Sequence, residues 1–366
     1  MALFLDLSNA FDCIDQNVLL YKLQHNGFRG IALEWFRSYL SGRTQYVYVN
    51  KCKSQPETLS CSVPQGSILG PILFLIFIND LVDSVPFLNF VLFADDCCAY
   101  DSHNDINSLI TNFNRYIKMI KNWLVCNKLS LNISKTNYII FNRRKRLPNV
   151  IDPLILDNQI IKRVESTKFL GIILQSNLSW KLHIQTVTSK LTKYSSIIYQ
   201  IRNKLNLCNL KLIYNSLVYS QLTYANIIWG NTFKTHLKPL FIAQKKVIRT
   251  IMYRNRSHHT NQDFLSLAFL KLTEINSFFG LIFVYKLING LTHPVNYFVT
   301  AQNSNYNLRS NGNLRPMLFG STQGQSSPSF YCSHLWNNIP PYIKLKSSIS
   351  SFKLSLKQYL LNLYRT

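Results

Sequence analysis

The stretch FVLFADDCCAYDS, Phe90 to Ser102, sets two adjacent carboxylates, Asp95 and Asp96, inside an apolar run that otherwise reads as buried β-structure. Neighbouring acids repel each other, and desolvating both is costly, so this stretch limits the folds open to the chain. One reading is local: Asp is a common turn former that caps its own backbone, and Ala94-Asp95-Asp96-Cys97 is then a turn between FVLF and CCAY. The other is that a divalent cation neutralises the pair, and that reading requires a third carboxylate from elsewhere. Asp6 is the candidate. LFLDL repeats the design of VLFAD, a few apolar residues and then an acid, and two adjacent buried strands of this design bring Asp6 near Asp95 and Asp96.

Acids are scarce in this chain, with 40 Lys and Arg against 16 Asp and Glu and a formal net charge of +24. From Ser166 onward there are 23 basic and two acidic residues, Asp263 and Glu274, whereas the first 165 residues hold 17 and 14. A solvated basic face is the usual origin of a charge run, but an excess sustained over roughly 200 residues favours a polyanion partner. The aromatics interleaved with these bases, as in KLTKYSSIIYQIRNKL, follow helical apolar spacing and are read as helix core before stacking platforms.

A chain of 366 residues, 47% hydrophobic, is long enough for two or three substructures with sizeable cores. Its most apolar run, ILGPILFLIFIND, is shorter than a bilayer helix and contains Pro71, so no membrane association is expected. Asp6 follows only four apolar residues after the first methionine, unlike a secretory start, and an intracellular location, nuclear or cytoplasmic, is the expectation. The eight cysteines show no metal-ligand spacing and read as free thiols, mostly packing residues. No glycine-rich phosphate cradle is present in the sequence.

Residues 2–7 read as a strand leading into AFDCIDQNVLLYKLQHNG, a helix ended by Gly27, and IALEWFRSYLSG reads as a second helix. TQYVYVN alternates like a strand, and CSVPQGSILGPILFLIFINDLVDSV reads as a turn into a helix buried nearly all round. After the acidic hairpin come a helix from about Asn104 to Leu129, the strand TNYIIFN, a basic tetrad Arg143 to Arg146 in a loop, and strands in PLILDNQIIKRV and TKFLGIILQSN. Helical periodicity dominates after Trp180. TAQNSNYNLRSNGNLRP reads as a connector, and the tail ends in an amphipathic helix.

Five stretches in this order, FLDLSNAFDCID, SVPQGSILGPILFLIFINDL, LFADD, LSLNISKTNYIIF and KFLGIIL, resemble the reverse transcriptases of non-LTR, LINE-type retrotransposons. The likeness runs from Met1 to about Trp180, and the LWNNIPPYIK tail is similar to the region C-terminal to the palm in these elements. It implies an α+β fold, a right-hand polymerase palm over 1–175 with an antiparallel sheet and packed helices. A thumb-like basic helical region over 176–300, a connector over 301–320 and a basic amphipathic segment over 321–366 would complete the chain.

It implies an RNA-directed DNA polymerase in which Asp6 and Asp95 hold two Mg²⁺ ions, or Mn²⁺, with Asp96 as companion. Phe11 matches an aromatic gate against a 2′-hydroxyl, and Gln65 and Gly66 match a turn along the nascent base pair. Lys135 matches a proton donor to pyrophosphate, and Phe169, Leu170 and Gly171 match a primer-grip hairpin. RNA template, DNA primer or target and deoxynucleoside triphosphates are the implied partners. Two departures stand out: Ser62 occupies a position usually held by Gly, where a local backbone adjustment is expected, and the fingers and endonuclease that precede the palm are expected to be missing. A non-catalytic nucleic-acid-binding remnant of such an enzyme is the alternative.

Overall fold

A computed structural model describes residues 1–8, 10–142, 151–292, 299–300, 313–316 and 319–364. The basic tetrad Arg143 to Arg146 and residues 301–312 of the expected connector lie outside them. The chain forms two compact units, Met1–Leu178 and Ser179–Thr366.

The first unit begins with β1 (Ala2–Leu5), α1 (Gln16–His25) and α2 (Ile31–Leu40), followed by the two-residue strands β2 (Thr44–Gln45), β3 (Tyr48–Val49), β4 (Cys52–Lys53) and β5 (Glu57–Thr58). Next come α3 (Leu69–Ile78), α4 (Leu81–Ser84), β6 (Asn89–Phe93), β7 (Asp96–Tyr100), α5 (Ile106–Cys126) and β8 (Asn137–Ile139). Two hairpins close the unit, β9 (Leu154–Leu156) with β10 (Gln159–Arg163) and β11 (Ser166–Phe169) with β12 (Ile172–Gln175). The main sheet has the order β6-β7-β1-β8-β10-β9, antiparallel except for the β8–β10 pair.

Alternation along β1 explains why ALFL is apolar throughout. Leu3 and Leu5 enter the core shared with α1, α3 and α5, whereas Ala2 and Phe4 join Cys98, Ile139, Phe169 and Leu174 on the opposite face. A strand covered on both faces has no side for polar residues.

Three sequence expectations change here. The helix expected from Ala10 starts at Gln16, because Ile14 and Phe11 give their carbonyls to the N–H groups of Ser62 and Val63 and so hold the preceding stretch in a turn. Asp15 then caps α1, accepting from Asn17 and Val18 with Oδ1 while Lys128 reaches Oδ2 at 2.6 Å. Burial pushes the Asp15 carboxyl up, but the bonds from Lys128, Val18 and Asn17 outweigh it and the net shift is downward. Helix α3 is not buried nearly all round: Leu73, Phe74 and Phe77 face the core while Ile72 and Leu75 stay about half exposed. Of the eight cysteines, all free, Cys97, Cys98 and Cys332 are buried and Cys13 packs partly buried against the core, so half rather than most are packing residues.

A single buried amine ties three helices together. Lys22 of α1 donates to the Phe77 carbonyl at 2.6 Å and to Asp80 at 2.7 Å, with its ammonium over the rings of Phe77 and Trp123. Burial lowers its pKa, and Asp80 offsets this in part.

The second unit is helical, as its periodicity indicates. It runs through α6 (Lys181–Ile201), a 3₁₀ turn at Arg202–Lys204, α7 (Leu207–Ile213), a π-helical segment at Tyr214–Tyr219, α8 (Ser220–Thr223), α9 (Asn226–Trp229), α10 (Lys234–Ile251) and α11 (Asn261–Leu267). After these come α12 (Leu272–Ile288), the strand pair β13 (Val299–Thr300) and β14 (Leu314–Arg315), α13 (Thr322–Gln325), α14 (Pro328–Asn338), α15 (Pro341–Lys344) and α16 (Ile349–Asn362). Helix α10 packs along α6, and α12 is the hub against α8, α9, α14 and α16. Gln244, fully buried, binds the Tyr214 hydroxyl, the Leu270 carbonyl and the Leu272 N–H at 2.9–3.0 Å, so the polar core group is satisfied. Among the described residues no single helix is long and apolar enough to cross a membrane, though α11 and α12 together pass that test with a 46° bend.

Candidate active site

The geometry of the acids follows from strand register. β1 pairs with β7 antiparallel through Leu5 and Cys97, and the next step of that register sets Asp6 opposite Asp96. By alternation both acids belong to the sheet face that carries Phe4 and Cys98. β6 and β7 close through Phe93 and Asp96, which leaves Ala94 and Asp95 as a two-residue turn with Asp96 already in the strand. Ala94 adopts φ +50°, a conformation that L residues disfavour and that presents Asp95 at the hairpin tip.

Asp6 is held by a loop distant in sequence. Its N–H donates to the fully buried Thr136 hydroxyl at 3.2 Å, its carbonyl accepts from Asn132 at 2.8 Å, and Leu7 bridges to Leu131. The same loop carries Lys135, whose ammonium lies 4.0 Å from Asp6 Oδ2. Both side chains are substantially solvated, 70% and 43% exposed, so this contact is an electrostatic neighbour rather than a lock.

Burial raises the pKa of the Asp96 carboxyl, and the charges of Asp95 and Asp6 add to the rise. Asp95 and Asp6 therefore lie close enough to Asp96 for their charges to act on it. Carboxylate oxygens are hard donors, the chemical type that divalent cations such as Mg²⁺ and Mn²⁺ take. Among the described residues no group of three or more His, Cys, Asp or Glu side chains is placed so that it could hold a metal ion.

The second group of predicted residues assembles around the turn after β1. Phe11 stacks on Phe74 of α3 with ring centroids 4.5 Å apart, and its carbonyl accepts from Val63. Gln65 Nε2 donates to Asp12 Oδ1 at 2.6 Å, joining two motifs 53 residues apart. Asp12 was not singled out from the sequence, where nothing but its place beside Phe11 marks it. Gly66 adopts φ +77° with no atom within 4 Å of where a Cβ would stand, so backbone conformation selects glycine there.

Ser62 has a backbone conformation that favours glycine. Its φ is +83°, while its N–H donates to Ile14 and its carbonyl accepts from Arg43. Ser62→Gly is therefore expected to stabilise the first unit by about 1 kcal/mol, roughly 2–4 °C in melting temperature. A lower melting temperature for the variant would show that the serine is not strained.

The third group is the β11–β12 hairpin. Phe169 pairs with Ile172, and the two turn residues Leu170 and Gly171 both have positive φ, +45° and +77°, as a type I′ turn requires. The Phe169 ring lies 5.3 Å from that of Phe4, two residues before Asp6 on the same face. The hairpin is thus seated on the sheet face to which Asp6 and Asp96 belong.

One end of the sheet thus carries Asp6 and Asp96, with Asp95 in the adjoining turn and the β11–β12 hairpin seated on the same face. Residues 1–174 match the family described as reverse transcriptase (RNA-dependent DNA polymerase). It is 30% identical over 260 residues to the RNA-directed DNA polymerase from mobile element jockey of Drosophila melanogaster, and 27% over 264 residues to a probable RNA-directed DNA polymerase from transposon X-element of the same species. Each alignment covers 68% of this chain, which spans 28% of either relative's length. Among solved structures, Candida albicans telomerase in complex with a fragment of telomeric RNA aligns over 73% of this chain and 46% of that one, at 14% identity and a TM-score of 0.35.

Proposed function

We propose that this chain is the polymerase part of a non-LTR retrotransposon protein and adds deoxynucleotides to a primer 3′-hydroxyl on an RNA template. The observation that carries this reading is the action of the Asp6 and Asp95 charges on Asp96 at one end of a sheet, within residues that match the reverse transcriptase family. In this reading the first unit is the palm, and the second supplies a thumb-like, basic surface for the template and primer.

Asp6, Asp95 and Asp96 would hold the divalent cations. When bound, such ions lower the pKa of the attacking hydroxyl and neutralise the triphosphate and the departing pyrophosphate. Lys135, 4.0 Å from Asp6, keeps a proton near the leaving group. Phe11, braced by Phe74, bars a 2′-hydroxyl. The Gln65–Gly66 turn lines the nascent base pair, its amide oriented by Asp12. The hairpin at Phe169, Leu170 and Gly171 supports the primer end.

The test is primer extension on an RNA template with deoxynucleotides and Mg²⁺ or Mn²⁺. Extension that is lost on chelation supports the reading. No extension, together with retained salt-sensitive binding, would make the chain a nucleic-acid-binding protein without the reaction. The gate has its own prediction. Phe11→Val removes most of a ring at the sugar and is expected to relax discrimination against ribonucleotides by about tenfold or more; equal discrimination by both proteins would remove Phe11 from the site.

A further inference from the structure

We propose that a pocket in the second unit, walled by Phe241, Lys245 and Arg249 of α10 and by His259 and Lys271, binds a phosphate group of a nucleic-acid strand. The pocket encloses about 320 Å³ and lies within the second unit, so it is distinct from the carboxylate site. It extends the function proposed above, on which it rests only for the kind of anion.

Helical spacing builds one wall: Phe241, Lys245 and Arg249 are at i, i+4 and i+8 and share a face of α10. Lys245, Arg249 and Lys271 are each half-buried, with Glu274 the one acid lining the pocket beside them. Among the described residues none of the three forms an ion pair. Rings position two of them instead, the Lys245 ammonium lying 4.5 Å from the Phe241 centroid and the Lys271 ammonium 3.7 Å from that of Tyr364. Arg249 Nε donates to the His258 carbonyl at 3.0 Å, which orients the guanidinium. Glu274 also lines the pocket, but its carboxylate accepts from Thr273 at 2.9 Å and from Tyr364 at 3.2 Å.

The result is a concave cluster of three cations whose repulsion an anion relieves. Burial lowers the Lys271 pKa; Glu274 opposes the shift and Lys245 adds to it. Helix α12 begins immediately after Lys271 without a side-chain cap, and its dipole adds favourable potential for negative charge. A strand is favoured over a lone phosphate because Lys234 and Lys238, both exposed, continue the same face of α10. Lys238 lies about 10 Å along the axis from Lys245, within reach of neighbouring phosphates.

The experiment measures fluorescence anisotropy of a labelled 20-nucleotide single strand with the full chain, without nucleoside triphosphates, across a salt series. The parent is compared with Lys245→Gln/Arg249→Gln and with Lys193→Gln/Lys204→Gln, which removes two exposed charges elsewhere in the unit. Expected is an affinity loss of at least tenfold for the pocket variant, with a log–log salt slope shallower by roughly 0.7 to 1.4, and under threefold loss for the other pair. Equal affinity in the pocket variant and parent overturns the site, and so does an equal loss in both variants. Inorganic phosphate that raises the parent's melting temperature but not the variant's, with strand affinity unchanged, overturns the strand as ligand. Should circular dichroism show the double variant unfolded, Lys271→Gln is read by the same criteria. Because binding is measured without turnover, a protein that fails at primer extension still tests this pocket.

Discussion

Asp95→Asn is expected to lower primer extension by on the order of 10³-fold or more while leaving nucleic-acid affinity within about twofold. The change keeps the size of the side chain and removes the charge on which cation binding depends, and charge stabilisation by such ions is worth several kcal/mol in the transition state. Asp95 stands exposed in a two-residue turn, so little packing is disturbed. Asp96 feels Asp95 and Asp6 as like charges, so losing one of them should not lower the melting temperature. The same primer and template serve for both measurements, extension by gel and affinity by anisotropy. Undiminished extension by the variant would remove Asp95 from the reaction, whereas a collapse of both affinity and melting temperature would assign it a structural role.

Arg254→Ala carries the largest expected cost in stability. Asp263 is 2% exposed at the start of α11, with Arg254 Nε 3.2 Å from one carboxylate oxygen and His258 Nε2 3.4 Å from the other. Removing the arginine takes the partner from a buried carboxylate, and such losses cost about 3–5 kcal/mol. A melting temperature lower by roughly 10 °C is expected. Adding Asp263→Asn to Arg254→Ala should recover part of the loss, since the stranded charge is gone. Without recovery, the cost comes from the arginine's packing and not from the ion pair. The same loop bears on the phosphate pocket, because Asp263 holds His258, His258 holds Arg249 through its carbonyl, and His259 is next in the chain.

The helices and strands that position the carboxylates were largely legible in the sequence. Apolar runs ending in acids marked β1 and the β6–β7 hairpin, and periodicity marked α2, α5 and the helices of the second unit. The failures have a common cause. The start of α1 moved because bonds from Ser62 and Val63, some 50 residues away, took the backbone of the preceding turn. The α3 run was read as enclosed because every residue in it is apolar, and only packing decides which face is covered. TQYVYVN alternates, yet it forms strands of only two residues exposed on both faces, since alternation specifies a sheet only where one side is buried.

The residue types alone determined the chemistry available: hard carboxylate donors after apolar strands, an aromatic and a glycine turn at fixed spacing, and a basic second half. Side-chain alternation and charge are properties of the chain itself and survive without knowledge of its partners. Tertiary structure decided which residues meet. Register alone sets Asp6 opposite Asp96, the loop at 130–136 alone brings Lys135 to Asp6, and Asp12 finds Gln65 only when two distant turns are stitched together. The cations of the phosphate pocket are separated by up to 26 positions, and no local pattern joins Lys245 to Lys271. Contacts of that range depend on how helices pack, which is governed by the shape of the whole buried surface and not by any one segment.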